Sequence, residues 1–251
     1  LNLFIPTRPF VFYVAVALAC YLAGLSKGGL GGTMGFLLTP LVSLVMPVNQ
    51  AVGLLLPILI LADIFAIAAY WRRWDNHHVR ILMVGALIGV TLATFVLTNF
   101  PPQTLKKGLA IIILLFVVYR LFEGRILGNL HYQTRRWHAT LAGSLAGFTS
   151  TLAHAGGPPI TIYLLMQKLS PDAFIASSAL FFALLNWIKV PYYYFAGLFD
   201  FRLLLSLVWM APLAPLGVWS GRILVKRVDR AMFEWVIIAL LLISGVLLLR
   251  S

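Results

Sequence analysis

The chain has 251 residues, of which 61% are hydrophobic and only 10% charged, with a formal net charge of +12. A soluble domain carries about a quarter charged residues, so composition excludes a soluble globular fold. It also excludes the usual reading of a basic protein as a nucleic-acid binder, because in a chain this apolar Lys and Arg mark loops held on the cytoplasmic side.

In chain order, the first apolar segment runs into Gly24-Leu25-Ser26-Lys27-Gly28-Gly29-Leu30-Gly31-Gly32-Thr33. The piece that follows, Thr33–Met46, reaches about 21 Å as a helix, too short to cross a bilayer upright. Asn49–Tyr70, Val79–Thr98 and Leu105–Phe122 are then each long enough to cross roughly 30 Å of hydrocarbon. A polar stretch, Glu123–Arg136, divides the chain. The second half opens on another break, Gly147-Phe148-Thr149-Ser150-Thr151-Leu152-Ala153-His154-Ala155-Gly156-Gly157-Pro158-Pro159. Its short piece, Pro158–Gln167, reaches about 15 Å as a helix. Ala173–Ala196, Phe201–Val225 and Ala231–Leu249 complete the predicted spans. With this many spans, a cleavable signal peptide does not explain the hydrophobicity. Cys20 is the one cysteine and forms no internal disulfide.

Each half therefore has one order: a broken pair, a long span, a span ending in a basic or proline-bearing loop, and a final span. A shift of 123 residues pairs Gly24 with Gly147, Ser26 with Thr149, Asp63 with Asn186 and Tyr70 with Tyr193, although Gly31-Gly32 and Gly156-Gly157 need a shift of 125. The predicted fold is all-α: a polytopic helical membrane protein of two inverted repeats, each of about five helical segments with a glycine-broken first segment. The expected units are 1–123, a cytoplasmic linker at 124–136, and 137–251. Charge favours inversion. With an outside N-terminus, Arg72, Arg73, Arg80, Arg120, Arg125, Arg135, Arg136, Lys168, Arg222, Lys226, Arg227 and Arg230 all lie inside. A parallel arrangement would strand the last four of these outside.

Paired interruptions of this kind point to a midplane binding site in secondary transporters. Gly28, Gly29, Gly31 and Gly32 allow close approach of backbone to a ligand, or else close approach of two helices. Thr33 is a candidate N-cap for the following helix, whose exposed N–H groups and dipole suit an anion. Lys27 supplies a full positive charge if it faces the cavity, or snorkels to the surface if it does not. In the second break Pro158-Pro159 reads as a helix start. Ser26, Thr149, Ser150 and Thr151 offer hydroxyls to an oxyanion, or bond back to their own helices. His154 is a ligand, a proton carrier or a neutral core residue. Asp63, with its repeat mate Asn186, carries protons or pairs with Lys27 or Lys189. Lys189, followed by Pro191 and Tyr192-Tyr193-Tyr194, reads mainly as part of an interfacial anchor.

His77 and His78 lack the further ligands of a metal site. There is no HExxH, no Walker motif and no dinucleotide fingerprint, so neither an enzyme, a metal nor a cofactor is expected.

The stretches Gly24–Pro40 with the following Pro47, the Asp63 helix, and Gly147–Pro159 resemble the TauE/SafE family of sulfite exporters, over nearly the whole chain. The resemblance implies a multi-pass protein of the bacterial inner membrane. It further implies a substrate that is sulfite, a sulfonate or a related small sulfur-containing anion, with the paired glycine regions lining its path. On this reading the candidate binding set is Ser26, Lys27, Gly28, Gly29, Gly31, Gly32, Thr33, Thr149, Ser150, Thr151, His154, Gly156 and Gly157, with Asp63, His154 and Asn186 as coupling candidates. A transporter of cations or neutral solutes built on Asp63 is the rival reading.

Overall fold

A computed structural model describes residues 9–29, 35–127, 135–167, 169–224 and parts of 235–249. The described residues are helical, with no strand among them. In chain order the helices are α1 (Phe10–Gly29), α2 (Gly35–Ser43), α3 (Val48–Ala69), α4 (Asn76–Asn99), α5 (Pro102–Leu127), α6 (Arg136–Ala153), α7 (Gly157–Leu165), α8 (Pro171–Phe195), α9 (Phe201–Ser206) and α10 (Leu213–Leu224). Five described helices are long and apolar enough to cross a membrane: α1, α3, α4, α5 and α8. Their outer faces stay apolar. On α4, Val84, Ile88, Leu92 and Phe95 are exposed while Leu82, Ala86, Val90 and Ala93 are buried. Water would penalise such a surface, and hydrocarbon does not.

Local chemistry explains the helix ends. Asp75 caps α4 by accepting the His78 N–H at 3.0 Å, and Ser170 and Asp200 cap α8 and α9 in the same way. The two short pieces, α2 and α7, are helices of 9 residues each. At about 1.5 Å per residue neither reaches across a bilayer. The expected span Phe201–Val225 is instead divided into α9, a single 3₁₀ turn at Val208–Met210, and α10. Pro212 lacks an N–H and its ring crowds the carbonyl four residues earlier, at Val208, which interrupts the helical ladder on this stretch. The expected span Ala231–Leu249 and the linker 124–136 lie partly outside the described residues, and α5 runs to Leu127, into the first four residues of the expected linker.

Two helix pairs make the most extensive contacts, α4 with α6 and α1 with α10. Both are closed by glycines four residues apart. In the first pair a Cβ on Gly85, Gly89, Gly143 or Gly147 would collide with a carbonyl of the facing helix; in the second the same holds for Gly24, Gly28, Gly217 and Gly221. Side chains of hydrogen alone let the backbones touch, which is how membrane helices associate where no hydrophobic drive exists. Gly24 and Gly147, partners under the 123-residue shift, each lie in one of these seams. Between the seams, α3 and α8 pack antiparallel. Gly53 abuts Leu198, Asp63 meets Asn186, and the Asp75 N–H donates to the Ser177 hydroxyl, three contacts in which one sequence ascends as the other descends.

Candidate functional site

The polar residues of the interior gather where α1, α3, α6 and α8 meet. Lys27, near the end of α1, places its ammonium 2.6 Å from Asp63 Oδ1 on α3. The Asn186 amide on α8 donates to the other carboxylate oxygen, also at 2.6 Å. Lys27 also lies 4.7 Å from the centre of the Phe182 ring, where the ring's negative face stabilises a cation. It is 8% exposed and Asp63 1%, so the surface-snorkelling reading of Lys27 does not hold. Both carboxylate oxygens are engaged, and this half of the site is electrically neutral.

Lys189 is different. It lies one helical turn beyond Asn186 and is 0% exposed, not at an interface as its tyrosine-rich surroundings imply. Its ammonium donates to the Ser150 hydroxyl at 3.1 Å, to the Ser150 carbonyl at 3.3 Å and to His154 Nδ1 at 3.2 Å. Each of these partners is neutral, and no carboxylate pairs with Lys189 among the described residues. Because the Val52 carbonyl, 3.2 Å from Nε2, can only accept, the imidazole proton sits on Nε2, which leaves Nδ1 to accept from Lys189. His154 holds this position from a left-handed backbone (φ 53°, ψ 25°) that ends α6, its own N–H capping Ser150. Tyr193, one turn past Lys189, is fully buried and donates to the Thr151 carbonyl at 2.6 Å. The interfacial-anchor reading therefore fails for Lys189 and Tyr193, although Tyr194 is exposed.

The remaining candidates divide by what already occupies them. The Thr149 and Thr151 hydroxyls bond back to Leu145 and Gly147. Ser26 is buried beside Lys27. Gly28 lies in the α1–α10 seam and α1 continues through Gly29, so their backbone is helical and the seam accounts for Gly28. Gly31, Gly32 and Thr33 lie outside the described residues. In the second break Gly156 is packed against Ser150 and the Phe182 ring, with α7 starting at Gly157 as the Pro158-Pro159 pair predicts. Those prolines remove two of the N–H groups that a helix start would otherwise offer, leaving Gly157 and Ile160. The second break is therefore a poorer backbone anion cradle than its glycines suggest, and charge at this site comes from side chains.

Lys189 is the residue that sequence reasoning undervalued. The available signal was its spacing of three from Asn186, which puts both on one helical face. Elsewhere, a cavity of about 530 Å³ opens between the start of α3 and the α8–α9 turn, lined by Asn49, Gln50, Phe199, Asp200 and Arg202 among others.

Spanning helices that enclose two short helix pieces and a buried ionisable cluster have the build of a membrane transporter. The chain belongs to the sulfite exporter TauE/SafE family, whose model matches residues 16–248, nearly the whole sequence. No curated protein and no solved structure matches the chain.

Proposed function

We propose that this protein exports sulfite, or a related small sulfur-containing anion such as a sulfonate, through a site where its two halves meet. The supporting observation is Lys189: a fully buried amine whose hydrogen-bond partners are Ser150 and His154, both neutral. An uncompensated buried charge costs several kcal/mol, and a bound anion removes that cost. In this reading the Lys189 ammonium and the Ser150 hydroxyl turn from each other to the anion's oxygens. Lys27 and Asp63 form the neutral pivot beside it, and Ser26, Gly156 and Gly157 border the site. The cation reading built on Asp63 is disfavoured, because Lys27 and Asn186 already occupy its carboxylate.

The antiparallel run of the corresponding helices α3 and α8 supports inverted repeats, and with them alternating access by rocking of the halves. In this reading the N-terminus lies outside a bacterial inner membrane, with most basic loops inside. An inside-negative potential then drives a monovalent anion outward by about 2.3 kcal/mol per 100 mV, so export needs no coupling ion. Proton-coupled uptake is the second reading, and the direct contact of His154 with Lys189 favours His154 over Asp63 as its relay.

Purified protein in liposomes, assayed for sulfite, sulfate, thiosulfate and a small sulfonate at two membrane potentials, tests the proposal. Selective, potential-driven sulfite flux that disappears in Lys189→Met is expected. Equal flux in Lys189→Met removes the site, flux only with a pH gradient moves the mechanism to coupled transport, and no anion flux at all removes the substrate.

A further inference from the structure

Helix α2 carries two buried hydroxyls that have no bonding partner among the described residues. Thr39 is 0% and Ser43 3% exposed, and neither side-chain oxygen has a hydrogen-bond partner among the described residues. Threonines on α4 and α6 behave differently. Thr91, Thr94, Thr98, Thr149 and Thr151 all donate to the carbonyl four residues earlier. Leaving a buried hydroxyl unpaired costs about 1–3 kcal/mol, so a pair on one helix calls for a reason.

Their positions supply one. Gly35, Thr39 and Ser43 are spaced four apart and share one face of α2. That face starts at the cationic centre, since a Cβ on Gly35 would stand 2.7 Å from the carbonyl oxygen of His154, the residue bonded to Lys189. From Gly35 to Ser43 is about 12 Å along the helix. Past Ser43 the chain turns at Pro47 and enters α3, whose first turn carries Asn49, a third residue with a buried, unpaired side-chain oxygen. Asn49 lines the 530 Å³ cavity, together with Arg202.

We infer that Thr39, Ser43 and Asn49 line the passage by which the anion moves between this cavity and Lys189, the hydroxyls replacing water as donors to its oxygens. The inference rests on the anion reading above and adds to it a route and two selectivity residues. The adjoining side of α2, with Leu38 and Val42, packs into the apolar cluster of α1 and α3 and takes no part.

Cysteine reactivity tests the passage without requiring transport. In a Cys20→Ala background, Thr39→Cys, Ser43→Cys, Leu38→Cys and Val42→Cys are treated in proteoliposomes with an anionic, sulfonate-bearing methanethiosulfonate and with its trimethylammonium counterpart. Thr39→Cys and Ser43→Cys are expected to react at least about tenfold faster than the two controls. At Thr39→Cys the anionic reagent leads by about tenfold because Lys189 concentrates anions, and methanesulfonate slows the reaction. Equal, slow labelling at all four positions overturns the passage, as does a preference for the cationic reagent. Thr39→Val gives a second reading: loss of a hydrogen bond to a charged solute lowers sulfite flux about tenfold, whereas Thr39→Ser retains it. Unchanged flux in Thr39→Val overturns the role of the hydroxyl. The two proposals fail separately. Lys189-dependent flux with an unreactive stripe removes only the passage, and a reactive stripe with no anion flux removes only the substrate.

Discussion

The two halves of the molecule each bring a lysine to the buried crossing, and they treat it in opposite ways. Lys27 from the first half meets a carboxylate at 2.6 Å, and that carboxylate is steadied in turn by an amide from the second half. Lys189 from the second half meets a serine and a histidine. Position 186, the repeat mate of Asp63, is an asparagine, so the second half has no acid where the first has one. One crossing thus holds an ion pair and, beside it, a lysine whose hydrogen-bond partners are neutral. The asymmetry goes beyond a carboxylate changed to an amide, because the same shift sets Lys27 against Ser150 and Lys189 against Ala66.

Breaking the neutral side should have the largest effect. Asp63→Asn leaves Lys27 buried without its anion, and losing one partner of a buried pair costs about 3–5 kcal/mol. The expected result is a steep fall in folded yield and in the thermal transition in detergent, with recovery when Lys27→Met is added. No recovery in the double variant would mean that Asp63 serves more than Lys27. The charged side should respond inversely. Lys189→Met removes a buried cation that has no counter-charge, so stability is held or raised while sulfite flux falls at least about tenfold, the equivalent of about 1.4 kcal/mol. A loss of stability equal to that of Asp63→Asn would erase the distinction between the two lysines. Tyr193→Phe is smaller again. Its hydroxyl bonds the Thr151 carbonyl beside Ser150, and its removal costs about 1 kcal/mol, measured as a shifted midpoint with sulfite selectivity unchanged.

Much of this was legible beforehand, for identifiable reasons. Span length and composition are local quantities, so the helical membrane class and the long helices α3, α4, α5 and α8 follow from runs of apolar residues. The Asp63–Asn186 contact joins two residues that the 123-residue shift already paired, although the expected partner of Asp63 was a lysine, and Lys27 is one. Lys189 was not legible, because its sequence neighbours are those of an interface and its burial depends on α3 and α6, which are distant in the chain. The glycine seams were half legible. Gly24–Gly28, Gly85–Gly89, Gly143–Gly147 and Gly217–Gly221 all carry the four-residue spacing of close packing, yet only the three-dimensional pairing shows that Gly28 lies in a seam. The division of Phe201–Val225 was signalled by Pro212, whose effect an average hydropathy conceals.

The two ends of the α3–α8 pair sharpen the same lesson at the smallest energy. At one end Arg73 bonds Asp172 at 2.8 Å and the Asp75 N–H reaches Ser177; at the other, Asn49 and Arg202 border the open cavity. The Arg73 and Asp172 side chains are 59% and 60% exposed, so water and salt screen their attraction, and a pair of this kind contributes about 0–1 kcal/mol. Asp172→Ala should therefore barely move the thermal transition, and raising the salt concentration should abolish even that difference. If rocking of the halves must part this end of α3 from α8, the same weak tie is broken in every cycle. Its loss should then quicken sulfite flux modestly at low salt and leave it unchanged at high salt. A large stability loss would show that the pair holds the fold together at this end, while a flux change that persists in high salt would show that the loop acts through something other than charge.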